Sequence, residues 1–335
     1  MHRAPLAALF AVLALAPARA LAAQEARITP DLLSAHITAL AHDSMRGRFT
    51  PSPEIEATAE YVEAVFRRAG LQPAGDNGTF RQRFPVRDPA AANPTGPNVV
   101  AVLPGRDPAL RGTYVAVVAH MDHVGTAGPG RGACSPAGAD SICNGADDNA
   151  SGTAGLLALA DAFARLVPGP RRSVLFVAVS GEERGLLGSR YYVEHPTVPL
   201  DSVVGLVNLD MIGRNRPDSV YLNGWGKSSI SDLVRRLAGE HRELGLDVGP
   251  DLEDRARTPA DSDHWPFQRR GIPYIFFYTG AHPDYHRVGD HPERADADKA
   301  SRIARLAFLT LLDMANAPVR PTWEPEARRL NVAGP

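Results

Sequence analysis

Residues 114–123 read Tyr114-Val115-Ala116-Val117-Val118-Ala119-His120-Met121-Asp122-His123, an unbroken apolar run that stops at a histidine, with a carboxylate and a second histidine just beyond. A run this uniformly apolar suits a strand buried on both faces, as parallel sheets covered by helices require. Comparable runs recur at 98–103, 174–179, 203–209, 220–222 and 274–278. Helical spacing of apolar positions marks 30–42, 53–70, 152–166, 184–194, 228–244 and 296–314, with Gly70 as a stop signal. Residues 73–97, rich in Pro, Gly, Asn and Asp, read as loop. The alternation predicts an α/β fold: a single three-layer domain with a central, mostly parallel mixed β-sheet and helices on both faces. Sites in such folds form beyond the carboxyl ends of the strands. His120, the pair Glu182 and Glu183, and Asp210 each fall at such an end.

The chain has 335 residues, 44% hydrophobic and 22% charged, with a formal net charge of -2. That composition is globular and leaves no basic footprint for nucleic acid. Residues 1–22 predict a secretory signal peptide: a basic start at His2 and Arg3, an apolar run from Leu6 to Leu15, Pro17, then small residues. The run is too short to span a bilayer and no later stretch replaces it, so stable membrane insertion is not expected. Residues 23–318 form the expected domain, and 319–335, rich in Pro and Arg, a surface tail. Export to a secreted or periplasmic compartment would let the two cysteines, Cys134 and Cys143, close a disulfide.

Several strings carry chemistry. In His120-Met121-Asp122-His123, Asp122 stands where it can accept the other ring N–H of a metal-bound His120, with His123 left over, although a surface turn would give the same letters. Asn144 to Gly152 holds adjacent acids, Asp147 and Asp148, before an apolar helix. Capping accounts for Asn149 or Ser151 but not for two acids, whereas a cation would. Glu182 and Glu183 are adjacent acids at a strand end, where one can bind metal and the other accept a proton, or both can face a helix N-terminus. Asp210 closes a strand, and His282-Pro283-Asp284-Tyr285-His286 precedes the last helix. Carboxylates and imidazoles gathered at strand ends suit zinc.

The strings AHMDHVG, NGADDNASG, SGEERGLLGS, NLDMIGR and DYHRVGD, in this order, resemble the co-catalytic di-zinc exopeptidases: bacterial leucyl-type aminopeptidases, glutamate carboxypeptidases and glutaminyl cyclases. MRGRFTPS and SDHWPF add likeness to secreted bacterial aminopeptidases, and the resemblance runs from about residue 31 to 315. It implies two zinc ions: one on His120 and Asp210, the other on Glu183 and His286, with Asp148 bridging and a cis peptide after it. Glu182 would be the general base, and Tyr285 would polarise the scissile carbonyl. Substrates would be peptides or small proteins with a free N-terminus. A carboxypeptidase, a one-zinc glutaminyl cyclase and a non-catalytic ectodomain are the rivals, the last two disfavoured because every ligand position is intact. His264 would serve structural support or substrate contact, and His36, His42, His195, His241 and His291 would be surface residues.

Overall fold

A computed structural model describes residues 25, 27–88, 93–128, 134–250 and 262–327. The expected signal segment 1–22 and the end of the tail, 328–335, lie outside the described residues. The strands are β1 (Gln72–Pro73), β2 (Arg81–Pro85), β3 (Thr95–Leu103), β4 (Tyr114–His120), β5 (Ser173–Val179), β6 (Val203–Leu209), β7 (Ser219–Asn223), β8 (Asp247–Pro250) and β9 (Tyr274–Tyr278). They form one sheet in the order β1-β3-β5-β4-β6-β9-β7-β8, with β2 also on β3. The middle four, β5, β4, β6 and β9, run parallel. β3 and β7 flank them antiparallel, so the sheet is mixed and its parallel part is the part that carries the site.

The helices are α1 (Pro30–Leu40), α2 (Pro53–Ala69), α3 (Gly152–Ala164), α4 (Leu187–Glu194), α5 (Ser229–Glu240), α6 (His264–Arg269) and α7 (Ala297–Asn316). Strand side chains alternate between two cores. Val115, Val117 and Ala119 join Val207, Leu209 and Phe277 beneath α1, α2, α3, α5 and α7. Ala116 and Val118 join Val177, Leu206 and Phe276 on the other face, closed by Tyr192 and Val193 of α4 and Phe267 of α6. Local signals start the helices. Thr29 accepts the Leu32 N–H at 3.2 Å, Ser52 accepts those of Glu54 and Ile55, and Pro30 and Pro53 follow the caps. Gly152 opens α3 directly under the end of β6. A Cβ there would lie 2.3 Å from both Asn149 Oδ1 and the Leu209 carbonyl, so only glycine lets helix and strand end approach this closely.

Two expectations change. The stretch 73–97 is not all loop: β2 alternates buried Gln82 and Phe84 with more exposed Arg81 and Arg83, and pairs with β3, which itself begins at Thr95. Its proline and glycine flanks mask an edge strand. His36 is not a surface residue. It lies on the inner face of α1, with Nδ1 2.8 Å from the Tyr61 hydroxyl. Burial, aided by Arg68 and opposed by Asp161, lowers its pKa to about 4. The unfolded chain then binds more protons between about pH 6.5 and 4, so stability is lost as pH falls through that window. The shift corresponds to at most about 3 kcal/mol. His36→Gln should flatten the fall of melting temperature between pH 7 and 4 relative to the parent protein. Parallel curves would show that His36 does not set it.

The described part of the tail lies against the domain. Thr322 O accepts the Ser229 N–H and Glu324 N–H donates to Lys227 O, both at 2.9 Å. Cys134 and Cys143 are joined, as expected, with a Cα–Cα distance of 5.8 Å.

Candidate metal centre

His120 is the last residue of β4, Glu182 and Glu183 follow β5 through Ser180 and Gly181, and Asp210 directly follows β6. Asp148 comes from the turn before α3, and His286 from the turns after β9. The sheet brings these together. His120 Nε2 lies 3.3 Å from Asp210 Oδ1 and 3.5 Å from Asp148 Oδ1. His286 Nε2 lies 3.2 Å from Asp148 Oδ2 and 2.9 Å from Glu183 Oε2. The two carboxylate oxygens of Asp148 therefore face the two halves of the cluster. The Asp148–Asn149 peptide is cis.

The surrounding residues explain why Asp148 is the central acid rather than its neighbour. Asp147 Oδ1 accepts the Gly213 N–H at 2.6 Å, Asn149 Nδ2 donates to the Leu209 carbonyl at 3.0 Å, and Ser151 Oγ accepts the Ile212 N–H at 3.0 Å. Asn149 Oδ1 also accepts the N–H of Gly152, the start of α3. These side chains bind the turn to the segment after β6, while Asp148 faces the cluster. Behind them, buried Asp290 accepts the backbone N–H groups of Asp147 and Asp148 at 3.0–3.1 Å. Asp290 ends the DYHRVGD string, but its letter alone does not distinguish a loop clasp from a surface acid.

Arg48 is a second clasp. It is fully buried and donates to four carbonyls: Met121 at 2.9 Å, Leu40 at 2.8 Å, Asn144 at 2.6 Å and Gly145 at 2.9 Å. Burial lowers its guanidinium to about 10, with Asp122 and Asp148 opposing, so it stays cationic at neutral pH. Asp122 is placed between two duties. Its backbone carbonyl lies 3.2 Å from His120 Nδ1 and its Oδ1 lies 3.7 Å from the same nitrogen, while Oδ1 accepts the Glu182 N–H at 3.2 Å. Ser262 Oγ donates to Asp210 Oδ2 at 2.7 Å and accepts from Asn208 Nδ2. His264 is buried and stacks on Tyr274 and Phe276, with ring centroids 4.4 and 5.2 Å away, which is structural support. His123, left without a role by its spacing, lies inside the cluster, with Nδ1 2.8 Å from Glu183 Oε1.

The electrostatics are those of a site short of positive charge. Burial alone would depress His120, but Asp210 and Glu182 override it and raise the imidazole well above its ordinary range. Burial is likewise overridden at His286, which Asp148 and Glu183 raise to about 10. Burial pushes the Glu182 carboxyl well up, with His120 opposing and Glu183, Asp263 and Asp210 adding. Despite these short approaches, buried Asp148 Oδ2, Asp210 Oδ1 and His286 Nε2 make no well-aligned hydrogen bond. Buried polar atoms are normally paired. The atoms of His120, Asp148 and Asp210, and separately those of His123, Asp148 and Glu183, lie within 4.8 Å of one another. This borderline-hard set of imidazoles and carboxylates fits zinc. Tyr285 is 43% exposed and stacks on His286 at 3.9 Å.

The sequence pattern described as peptidase family M28 matches residues 98–311, a span that includes each of these cluster residues except Arg48. Leupeptin-inactivating enzyme 1 of Streptomyces exfoliatus is 28% identical over 242 residues, covering 71% of this chain and 45% of that protein. The chain spans about half the length of the curated sequence relatives it matches. The LapA aminopeptidase of Legionella pneumophila superposes with a TM-score of 0.67 at 20% identity, covering 89% of this chain and 74% of that one. Porphyromonas gingivalis glutaminyl cyclase gives 0.65 at 18%, covering 84% and 97%. At these identities the likeness establishes the fold, and the fold alone does not choose between the two chemistries.

Proposed function

The chain belongs to peptidase family M28, and from that premise we propose that it is a zinc-dependent exopeptidase that removes residues from the N-terminal end of peptides. The observation that carries the metal part is the convergence of Asp148 Oδ2, Asp210 Oδ1 and His286 Nε2, buried and facing one another without a well-aligned hydrogen bond. His120 and Asp210 would hold one ion, Glu183 and His286 the other, and Asp148 both. Two zinc ions so held would supply a Lewis acid and make water acidic enough to ionise near neutral pH. Glu182, tethered by its N–H to Asp122, takes the proton of the attacking water and returns it to the departing amine. Tyr285 stands at the rim, and burial and nearby carboxylates keep its phenol protonated and able to donate to the scissile carbonyl.

The choice of chain end rests on charge. Arg214 is bound to Asp284 at 2.6 Å and to Asp290 at 3.5 Å, and Arg216 pairs with Asp218 and Asp247. Arg184 donates to the carbonyls of Thr50 and Arg87. These guanidiniums are committed to the protein, while Arg287, next to His286 in the chain, is exposed. The carboxylates Asp148, Glu183 and Asp210, with Glu182 adjoining, dominate the cluster, a setting that suits an ammonium group better than a terminal carboxylate. The disulfide favours an oxidising compartment, consistent with export by the 1–22 segment. No helix among the described residues is long and apolar enough to cross a membrane.

Aminoacyl anilides compared with N-blocked peptides, with and without chelator, test this reading. Chelator-sensitive release from free N-termini is expected. Release of C-terminal residues from blocked peptides would make it a carboxypeptidase. One zinc per chain, with cyclisation of N-terminal glutamine and no amino acid released, would make it a cyclase.

A further inference from the structure

We propose that His123 is a positioning residue that holds Glu183 as a one-oxygen metal ligand, by donating its Nδ1–H to Oε1 and leaving only Oε2 available beside His286. This rests on the metal-binding reading above. Glu183 lies between two imidazoles: His123 Nδ1 is 2.8 Å from Oε1, and His286 Nε2 is 2.9 Å from Oε2. The rings of His123 and His286 meet edge to face, with centroids 5.6 Å apart.

The His123 ring cannot leave this position easily. It is fully buried, and Gly145, in the left-handed region at φ +62°, packs against it so closely that a Cβ would lie 2.4 Å from the ring. The backbone N–H of His123 donates to the Arg48 carbonyl at 3.4 Å. Nδ1 faces two carboxylate oxygens, Glu183 Oε1 at 2.8 Å and Asp148 Oδ2 at 3.6 Å. A bare nitrogen lone pair against two carboxylates would be repelled, so Nδ1 carries a proton and donates it. With Oε1 engaged by this hydrogen bond, Oε2 is the oxygen turned toward His286, which favours ligation through one oxygen. An ion held there would keep a position for substrate or water, which a catalytic site needs and a structural site lacks. Partners that orient a ligand in this way typically govern metal affinity by 10–100-fold.

The competing role is direct ligation, because His123, Asp148 and Glu183 present atoms close enough to hold an ion themselves. Cobalt(II) titration separates the two, since its visible absorption weakens as coordination number rises. The parent protein, His123→Ala and His123→Asn would be titrated with Co2+ and competed with a chelator, after metal-free melts establish that each is folded. His123→Ala should bind the second ion about 10-fold or more weakly, with weaker absorption as Glu183 becomes bidentate. His123→Asn can place an amide N–H where Nδ1–H stood, and should restore most of both. Unchanged affinity and spectrum in His123→Ala would overturn the proposal, as would equal loss in both variants. If His123→Ala does not fold, the Asn variant decides: a parent-like spectrum supports the role and a shifted one overturns it. A parent protein that takes up only one Co2+ would overturn the two-metal reading itself, and this would be evident before any substitution is compared.

Discussion

Glu182→Gln should retain its zinc and lose turnover by about three orders of magnitude, within the 10²–10⁴ that a positioned general base contributes. The amide has nearly the same shape as the carboxyl, so the backbone bond from the Glu182 N–H to Asp122 Oδ1 is untouched. What changes is the ability to receive a proton. Because burial, with nearby carboxylates adding, pushes its pKa up, Glu182 is basic enough for the task, and glutamine is not. The loss should fall on kcat, with KM little altered, because the group acts on the reacting water rather than on the bound peptide. Metal analysis beside steady-state kinetics checks this. Zinc content falling in step with activity would make Glu182 a ligand, and unchanged activity would remove it from the mechanism.

Arg48→Met should produce the largest loss of stability. The substitution keeps apolar bulk but leaves the buried carbonyls of Leu40, Met121, Asn144 and Gly145 without their donor. Each unmet buried acceptor costs about 1–3 kcal/mol. The total of about 4 kcal/mol or more is a large share of the 5–15 kcal/mol that holds a typical protein together. Melting of the metal-free protein should fall by about 10 °C or more. Because Met121 and Asn144–Gly145 lie in the stretches that carry His120 and Asp148, the surviving folded fraction should also bind zinc more weakly. Arg48→Lys, which keeps the charge but loses the fork, should fall between the two. A melting temperature within a few degrees of the parent would show that water or rearranged backbone satisfies these carbonyls.

The parallel centre of the sheet was legible because its strands are buried on both faces and therefore read as uninterrupted apolar runs. The placement of His120, Glu182, Glu183 and Asp210 followed from the ends of those runs. The ordering of Glu182 and Glu183, and of Asp147 and Asp148, was not, because adjacent acids have the same letters whether they face a metal or the scaffold. Asp147 is distinguished only by the Gly213 N–H, a partner far away in the chain. Arg48 and Asp290 were hidden for the same reason: both hold backbone groups of remote loops, and backbone groups leave no trace in a sequence. β2 was obscured by the prolines around it, and His36 by the ordinary frequency of histidine on helix surfaces. His123 is a reminder that a residue left over by a spacing argument can still share the site.

The turn from Ala146 to Gly152 has a consequence for how this chain can vary. Its odd-numbered residues, Asp147, Asn149 and Ser151, grip Gly213, Leu209 and Ile212, while Asp148 is the only polar residue among its even-numbered ones. Scaffold and chemistry are thus interleaved by parity. Inserting or deleting one residue would put the three grips out of step with Gly213, Leu209 and Ile212 and withdraw the one acid that reaches both halves of the cluster. The length of this turn is therefore as much a part of the active site as the identity of Asp148, and lineages that drift here should change letters far more readily than they change the count.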